Sequence, residues 1–304
     1  MSTEAKHISV CICTFKRPTL LRRLLSELDR QRTDGLFSYS VVVVDNDFQK
    51  SAFPVVETFQ GSSNLDVKYC IESEQNIALA RNKAVENAKG DFVAFIDDDE
   101  FPSSDWLLNL YAARVRFETD GVLGPVKPYF GEGCPKWIIK GRILERISHP
   151  TGTVMRATEM RTGNVLLKRE IFDDSDNRFE PEFGRTGGED VWFFSKVIGK
   201  GRFFVWCDEA LVHETIPPER WKESFYLKRF VRIGGLTGEE VRKKGLPGQS
   251  LIRVIGGFGV YTIMLPFALF FGKHVFMRYL VKSAYNFAWL SGYCGYVMIR
   301  NRDD

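Results

Sequence analysis

The chain has 304 residues, 44% hydrophobic and 27% charged, with a net charge of +3. That is an ordinary folded composition, with length for one large α/β domain plus an appendage or for two smaller domains, and it excludes a disordered chain. The small net charge gives no argument for nucleic acid, while the six scattered cysteines and the polar stretch 1–7 suit a reducing cytosol and speak against export.

Ile8-Ser9-Val10-Cys11-Ile12-Cys13-Thr14 predicts a first strand, with Cys11 and Cys13 as small core residues. Pro18 suits a first helical turn, and Leu20, Leu21, Leu24, Leu25 and Leu28 recur at helical spacing. The β-branched run Val41-Val42-Val43-Val44 predicts a second strand buried on both faces, ending on Asp45-Asn46-Asp47. A third strand is expected over 67–71, and Asn76 is placed to cap a helix through Ile77, Ala80, Ala84, Val85 and Ala88. Gly90-Asp91 then introduces the apolar run 92–96, and Asp97, Asp98, Asp99 and Glu100 follow at once.

This alternation predicts an α/β fold with a parallel, doubly wound sheet. The first strand lacks the glycine-rich turn of a dinucleotide site and runs instead into Thr14-Phe15-Lys16-Arg17-Pro18, which disfavours hydride transfer. Thr14, Asp45 and the acidic cluster all fall at carboxyl ends of expected strands, where open sheets bind ligands. So much like charge at one strand end is costly without a cation. Oxygen donors with no nearby His or Cys suit Mg²⁺ or Mn²⁺, with a diphosphate as the ion's cargo.

Beyond the cluster, a helix is expected over 105–117 and a short strand over 121–126. A strand over 161–167, an apolar helix over 191–198 behind Gly187-Gly188-Glu189-Asp190, and strands over 203–206 and 210–213 complete this part. Positions 220–253 carry nine Lys or Arg against three Glu, a basic surplus suited to an anionic membrane face or a phosphate-bearing substrate. Two uncharged stretches follow, 254–271 and 283–299, each near the lower limit for a membrane span. Two spans would put Lys273, Arg278 and Lys282 outside, against the positive-inside tendency. A re-entrant or interfacial pair keeps these and the flanking Arg300 and Arg302 on the cytoplasmic side, and burial in a soluble domain is the alternative.

The strand through Thr14-Phe15-Lys16-Arg17-Pro18, Val44-Asp45-Asn46-Asp47, Asn76-Ile77-Ala78-Leu79-Ala80-Arg81-Asn82, Asp97-Asp98-Asp99-Glu100 and Gly187-Gly188-Glu189-Asp190 together resemble family 2 glycosyltransferases of GT-A fold, over about residues 7–215. Leu123-Gly124-Pro125-Val126 and Arg161-Thr162-Gly163-Asn164 look closer still to the succinoglycan-pathway β-glucosyltransferases of bacterial exopolysaccharide synthesis. The resemblance implies a catalytic domain over 1–218, with a nucleotide-binding half to about 100 and an acceptor half after it. A basic amphipathic connector over 219–253 and membrane-associated helices over 254–304 would complete the chain.

By that resemblance Asp99 touches a Mg²⁺ or Mn²⁺ ion and Asp97 holds ribose or the metal's waters. Asp45 accepts from the uracil imide, Thr14, Arg17 and Asp98 line the nucleotide, and Arg81 contacts it. Asp190 is the base that takes the acceptor's hydroxyl proton, with a plain helix cap as the competing reading. Glu189, Asn164 and Trp192 would meet donor or acceptor sugar, Trp192 equally suiting core packing. His213 matches a metal- or diphosphate-binding position, though a lone His is as often structural. Arg229 and Arg232 sit where processive relatives carry a Gln-x-x-Arg-Trp motif, absent here; a diphosphate contact remains open to them. The implied reaction is inverting transfer of a hexose, glucose from UDP-glucose, to a polyprenyl-diphosphate-linked glycan at the cytoplasmic face of the inner membrane. A nucleotidyltransferase of related fold and a catalytically silent membrane scaffold are the competing functions.

Overall fold

The computed structural model describes residues 6–185, 187–245 and 249–300; positions 1–5 of the polar start, and Arg302, lie outside the described residues. Two compact units emerge, one from residues up to Tyr129 with Arg146–Thr215, the other from Phe130–Glu145 with residues from Ile216 onward.

In the first unit the expected alternation is present: β1 (Lys6–Thr14), α1 (Pro18–Leu28), β2 (Phe37–Asp45), α2 (Phe53–Gln60), β3 (Val67–Ile71), α3 (Ile77–Asn87) and β4 (Phe92–Phe95). In chain order, with α5 belonging to the second unit, there follow β5 (Glu100–Pro102), α4 (Trp106–Phe117), β6 (Gly121–Leu123), β7 (Val126–Phe130), α5 (Lys136–Gly141), β8 (Val165–Lys168), α6 (Glu189–Gly199), β9 (Phe204–Trp206) and β10 (Val212–Ile216). Seven strands order as β3-β2-β1-β4-β8-β6-β9, parallel except that β8 runs antiparallel to both β4 and β6. Period-two alternation splits the β1 and β2 side chains between two apolar layers. Ile8, Val10, Ile12, Val41 and Val43 join Leu21, Leu24, Leu25 and Leu28 of α1, whereas Cys11, Val42 and Val44 join Ala78, Ala80 and Ala84 of α3.

Pro18 sits in the first turn of α1, and the Asn76 side chain accepts the backbone N–H groups of Ala78 and Leu79, as the sequence predicts. The strand expected over 121–126 is broken at Gly124-Pro125. Its first half, β6, stays in the large sheet, and its second half, β7, joins β5 and β10 in a separate three-stranded sheet.

The second unit is helical: α5, α7 (Glu223–Lys244), α8 (Gln249–Ala268) and α9 (Lys273–Tyr293). α7 and α9 approach closely because Gly238 has no side chain; a Cβ there would strike the Trp289 carbonyl. The apolar tail divides differently from the sequence expectation. Leu251–Phe271 is, among the described residues, the one helix long and apolar enough to cross a membrane, and 6% of its most apolar window is buried. The second stretch, 283–299, is not an element of its own. It is the latter part of α9 plus a short extension, and Ser283, Asn286, Ala288, Trp289 and Gly292 are buried there. Those positions are uncharged because they pack against protein.

Candidate active site

Strand ends in the first unit converge on one acidic edge. Thr14 ends β1 beside Asp45 at the end of β2, and β4, the other neighbour of β1, leads into Asp97. The Thr14 hydroxyl donates to Asp98 at 2.8 Å. One Arg17 nitrogen donates to Asp98 at 2.9 Å and to Asp99 at 3.1 Å. A single guanidinium thus answers two carboxylates. Burial lifts Asp98 above its ordinary range despite Arg17 and Thr14. Burial, then Asp97 and Glu214, pushes Asp99 up to about 7. Burial and the neighbouring Asp97 and Asp99 hold Glu100 well above the ordinary carboxylate range.

Arg81 joins this edge to the expected base. Its Nη1 donates to Glu189 at 2.5 Å, and its Nη2 lies 3.6 Å from Asp97. Glu189 and Asp190 form the first turn of α6, with Gly188 as its N-cap, so Asp190 is not the capping residue. The helix dipole favours the ionised form of Asp190. Burial outweighs it: that carboxyl is raised, with Glu189 adding to the effect and Arg81, the Val191 N–H and Arg161 opposing it. Ionic contacts therefore run from Asp97 through Arg81 to the residue beside Asp190.

Two of the expected residues have their contacts elsewhere in the fold. His213 does not face the acidic cluster. Side chains alternate along a strand, and β10 pairs His213 with Phe101 and Glu214 with Glu100 of β5. The His213 ring stacks on Phe101 at 5.3 Å, and burial with Lys127 and Arg23 nearby lowers its pKa. Glu214 takes the acidic side and acts on Asp99. Asn164 is committed to the fold: it is fully buried, accepts from the Trp106 indole at 2.7 Å, and donates to the Pro125 and Ala210 carbonyls. Both amide hydrogens are thereby used within the fold.

The remaining expected residues fall variously. Asp45 is fully buried and accepts from Ala52 N at 2.7 Å, the Tyr69 hydroxyl at 2.9 Å and Asp47 N at 3.1 Å. Trp192 is 49% exposed and lies against Phe183. Arg229 and Arg232 belong to α7 in the second unit, three positions apart on one helix face.

Sequence reading gave no site role to Glu214 or Arg146, and quoted Gly163 and Arg161 only as members of a motif. Gly163 backs directly onto the acids: a Cβ there would lie 2.6 Å from Glu100 Oε1 and 3.2 Å from Asp97 Oδ2. Gly163→Ala is expected to lower stability by about 1–3 kcal/mol through overpacking, read as a lower urea midpoint; an unchanged midpoint would show slack that the packing denies. Arg146 lies 3.4 Å from Glu214, and Arg161 acts electrostatically on Asp190.

Among the described residues no group of three His, Cys, Asp or Glu forms a ready-made metal cage. The donor set nevertheless fits a hard divalent ion. It is all oxygen and crowded, and such ions are commonly held by one or two carboxylates together with substrate phosphates.

Residues 9–176 match the family described as Glycosyl transferase family 2. The chain is a family 2 glycosyltransferase. It is 35% identical over 247 residues to succinoglycan biosynthesis protein ExoM of Rhizobium meliloti (strain 1021), across 80% of this chain and 78% of that protein. Its fold is similar to that of the mannosyltransferase PcManGT from Pyrobaculum calidifontis in complex with GDP-Man and Mn²⁺, with a TM-score of 0.64 at 16% identity over 96% and 88% of the two chains. S. aureus TarS 1-349 in complex with UDP-GlcNAc is also similar, with a TM-score of 0.56 at 18% identity over 95% and 92%. The structural likeness establishes the GT-A-like fold, a mostly parallel sheet flanked by helices. Membership of this family removes the nucleotidyltransferase reading.

Proposed function

We propose that this glycosyltransferase moves a hexose, glucose from UDP-glucose, with inversion onto a polyprenyl-diphosphate-linked glycan at the cytoplasmic face of the cell membrane. The product would feed bacterial cell-surface polysaccharide. The observation that carries the reading is the Arg81 bridge, which ties the acidic edge at Asp97 to the helix turn bearing Asp190. Support for the donor and pathway comes from the succinoglycan protein ExoM and the UDP-GlcNAc complex of a similar fold.

In this reading the catalytic domain covers 1–218, the basic connector 219–253, and the membrane-associated helices 254–304. Asp99, with Asp97 and Glu214 beside it, would hold Mg²⁺ or Mn²⁺, which when bound offsets negative charge on the departing diphosphate. Asp190 accepts the acceptor's hydroxyl proton while that oxygen bonds to the anomeric carbon, and the bond from that carbon to the β-phosphate oxygen breaks. Thr14 and Arg17 hold the acidic turn in shape, Arg81 and Glu189 set the start of α6, and Asp45 sits on the uracil side. Arg229 and Arg232 would contact the acceptor's diphosphate, and Trp192 a sugar face. A raised Asp190 suits this work, since a carboxylate whose pKa lies nearer the working pH is a stronger proton acceptor while still ionised.

The direct test is a panel of nucleotide sugars with Mn²⁺ and membrane lipid extract. UDP-glucose should be consumed with label entering lipid-linked glycan; label confined to free sugar would argue against a glycan acceptor. Asp99→Ala should abolish Mn²⁺-dependent UDP binding, and calorimetry showing undiminished metal-linked affinity would refute its role.

A further inference from the structure

The membrane reading leaves open whether α8 crosses the bilayer. Contacts between α8 and α9 decide against it. Thr262 bonds Ser283 at 2.7 Å, the Phe258 and Phe287 rings lie 5.9 Å apart, and a Cβ on Gly257 would meet Asn286 at 3.0 Å. Tyr261 meets Tyr279 at 5.8 Å, and Lys282 Nζ stands 5.1 Å over the Tyr261 ring. The two helices are therefore antiparallel neighbours along most of their length. Tyr261 is the midpoint of the apolar helix Leu251–Phe271, about 15 Å from either end at 1.5 Å per residue. If α8 stood across the bilayer, the Lys282 ammonium would lie near the centre of the hydrocarbon, beyond the reach of snorkelling. Arg278, four residues earlier and also exposed, would follow it in.

The other side of α8 is apolar and open. Ile252, Ile255, Val260, Ile263 and Phe267 are more than half exposed, and the turn beyond the helix adds Phe270 at 86%. Charge supplies the complement. No Asp or Glu occurs between Glu240 and Asp303, Arg253 is exposed on α8, and Arg278 and Lys282 are exposed on its neighbour α9. An exposed apolar helix face in a segment whose only charges are basic suits a position at the headgroup boundary of an anionic leaflet.

We propose that α8 lies in the plane of an anionic membrane leaflet, its apolar face among the acyl chains and Arg278 and Lys282 at the headgroups, so that the α8–α9 connector never leaves the cytoplasmic side. This rests on the membrane association proposed above and specifies its form.

The test uses the full-length enzyme in bacterial membranes, with a reporter cysteine at Lys273→Cys or His274→Cys. An impermeant thiol reagent is applied to right-side-out spheroplasts and to inside-out vesicles, and labelling at that site is read by peptide mass spectrometry. In-plane docking requires labelling in inside-out vesicles alone. Labelling from spheroplasts would overturn the inference while leaving membrane association intact, and recovery of the enzyme only in the soluble fraction would overturn both. Independently, Arg278→Gln with Lys282→Gln should reduce binding to vesicles of equal phosphatidylcholine and phosphatidylglycerol by about tenfold or more, at roughly fivefold per charge. Binding to pure phosphatidylcholine should barely change; equal losses on both lipids would contradict the headgroup role.

Discussion

Asp190→Asn is expected to bind UDP-sugar as the unaltered enzyme does and to lose turnover by about 10² to 10⁴, the usual contribution of a positioned general base. The amide keeps the shape of the first turn of α6 and can still accept the Val191 N–H, which Asp190 Oδ1 holds at 2.8 Å, so the loss falls on proton transfer. The unaltered enzyme carries a further signature. Asp190 must be ionised to act, and burial raises its pKa. Its acid limb in kcat/KM should therefore lie above the range of an ordinary aspartate, with activity falling as pH drops through that raised value. Unchanged turnover in Asp190→Asn would remove the base from the scheme. If cellular polysaccharide also persisted, while deletion of the chain after Arg253 abolished it, a scaffold role would gain ground.

Arg81→Met should be strongly destabilising, costing about 3–5 kcal/mol, because it strands Glu189 as a buried carboxylate without its counter-ion. The side chains of Arg81 and Glu189 are 8% and 3% exposed at a separation of 2.5 Å, and Glu189 Oε2 already lacks a partner. For a unit of roughly 200 residues that cost lowers the melting temperature by on the order of 10 °C. Adding Glu189→Met should restore most of the loss, since removing both charges of a buried pair is often near neutral. Activity should stay low in the double variant because the link to Asp97 is gone. A thermal melt of the single variant within 1–2 °C of the parent, a shift worth only about half a kcal/mol, would show that the pair is not an effective strut.

Features carried by local chemistry were legible in the sequence. Pro18 and Asn76 mark helix starts through backbone rules that operate within a few residues. The Val41-to-Val44 run needs burial on both faces, and it receives it. Features depending on register between distant segments were not legible. Whether His213 or Glu214 meets the acids is decided by the pairing of β10 with β5, a three-residue strand whose acidic start reads as a turn. Asn164 sits in a motif yet serves three partners from remote parts of the chain. The break at Gly124-Pro125 sends one apolar run into two sheets. In the tail, absence of charge could not distinguish an exposed apolar helix from one packed on protein, and the structure contains one of each.

One measurement bears most directly on the account: the anomeric configuration of the bond formed when UDP-glucose, Mn²⁺ and membrane lipid acceptor are incubated with the full-length enzyme. A β-linked product from the α-linked donor, lost in Asp190→Asn, is the expected result. An α-linked product would mean that Asp190 does not deprotonate an acceptor attacking from the face opposite the diphosphate, and the assignment of the site would fail with it.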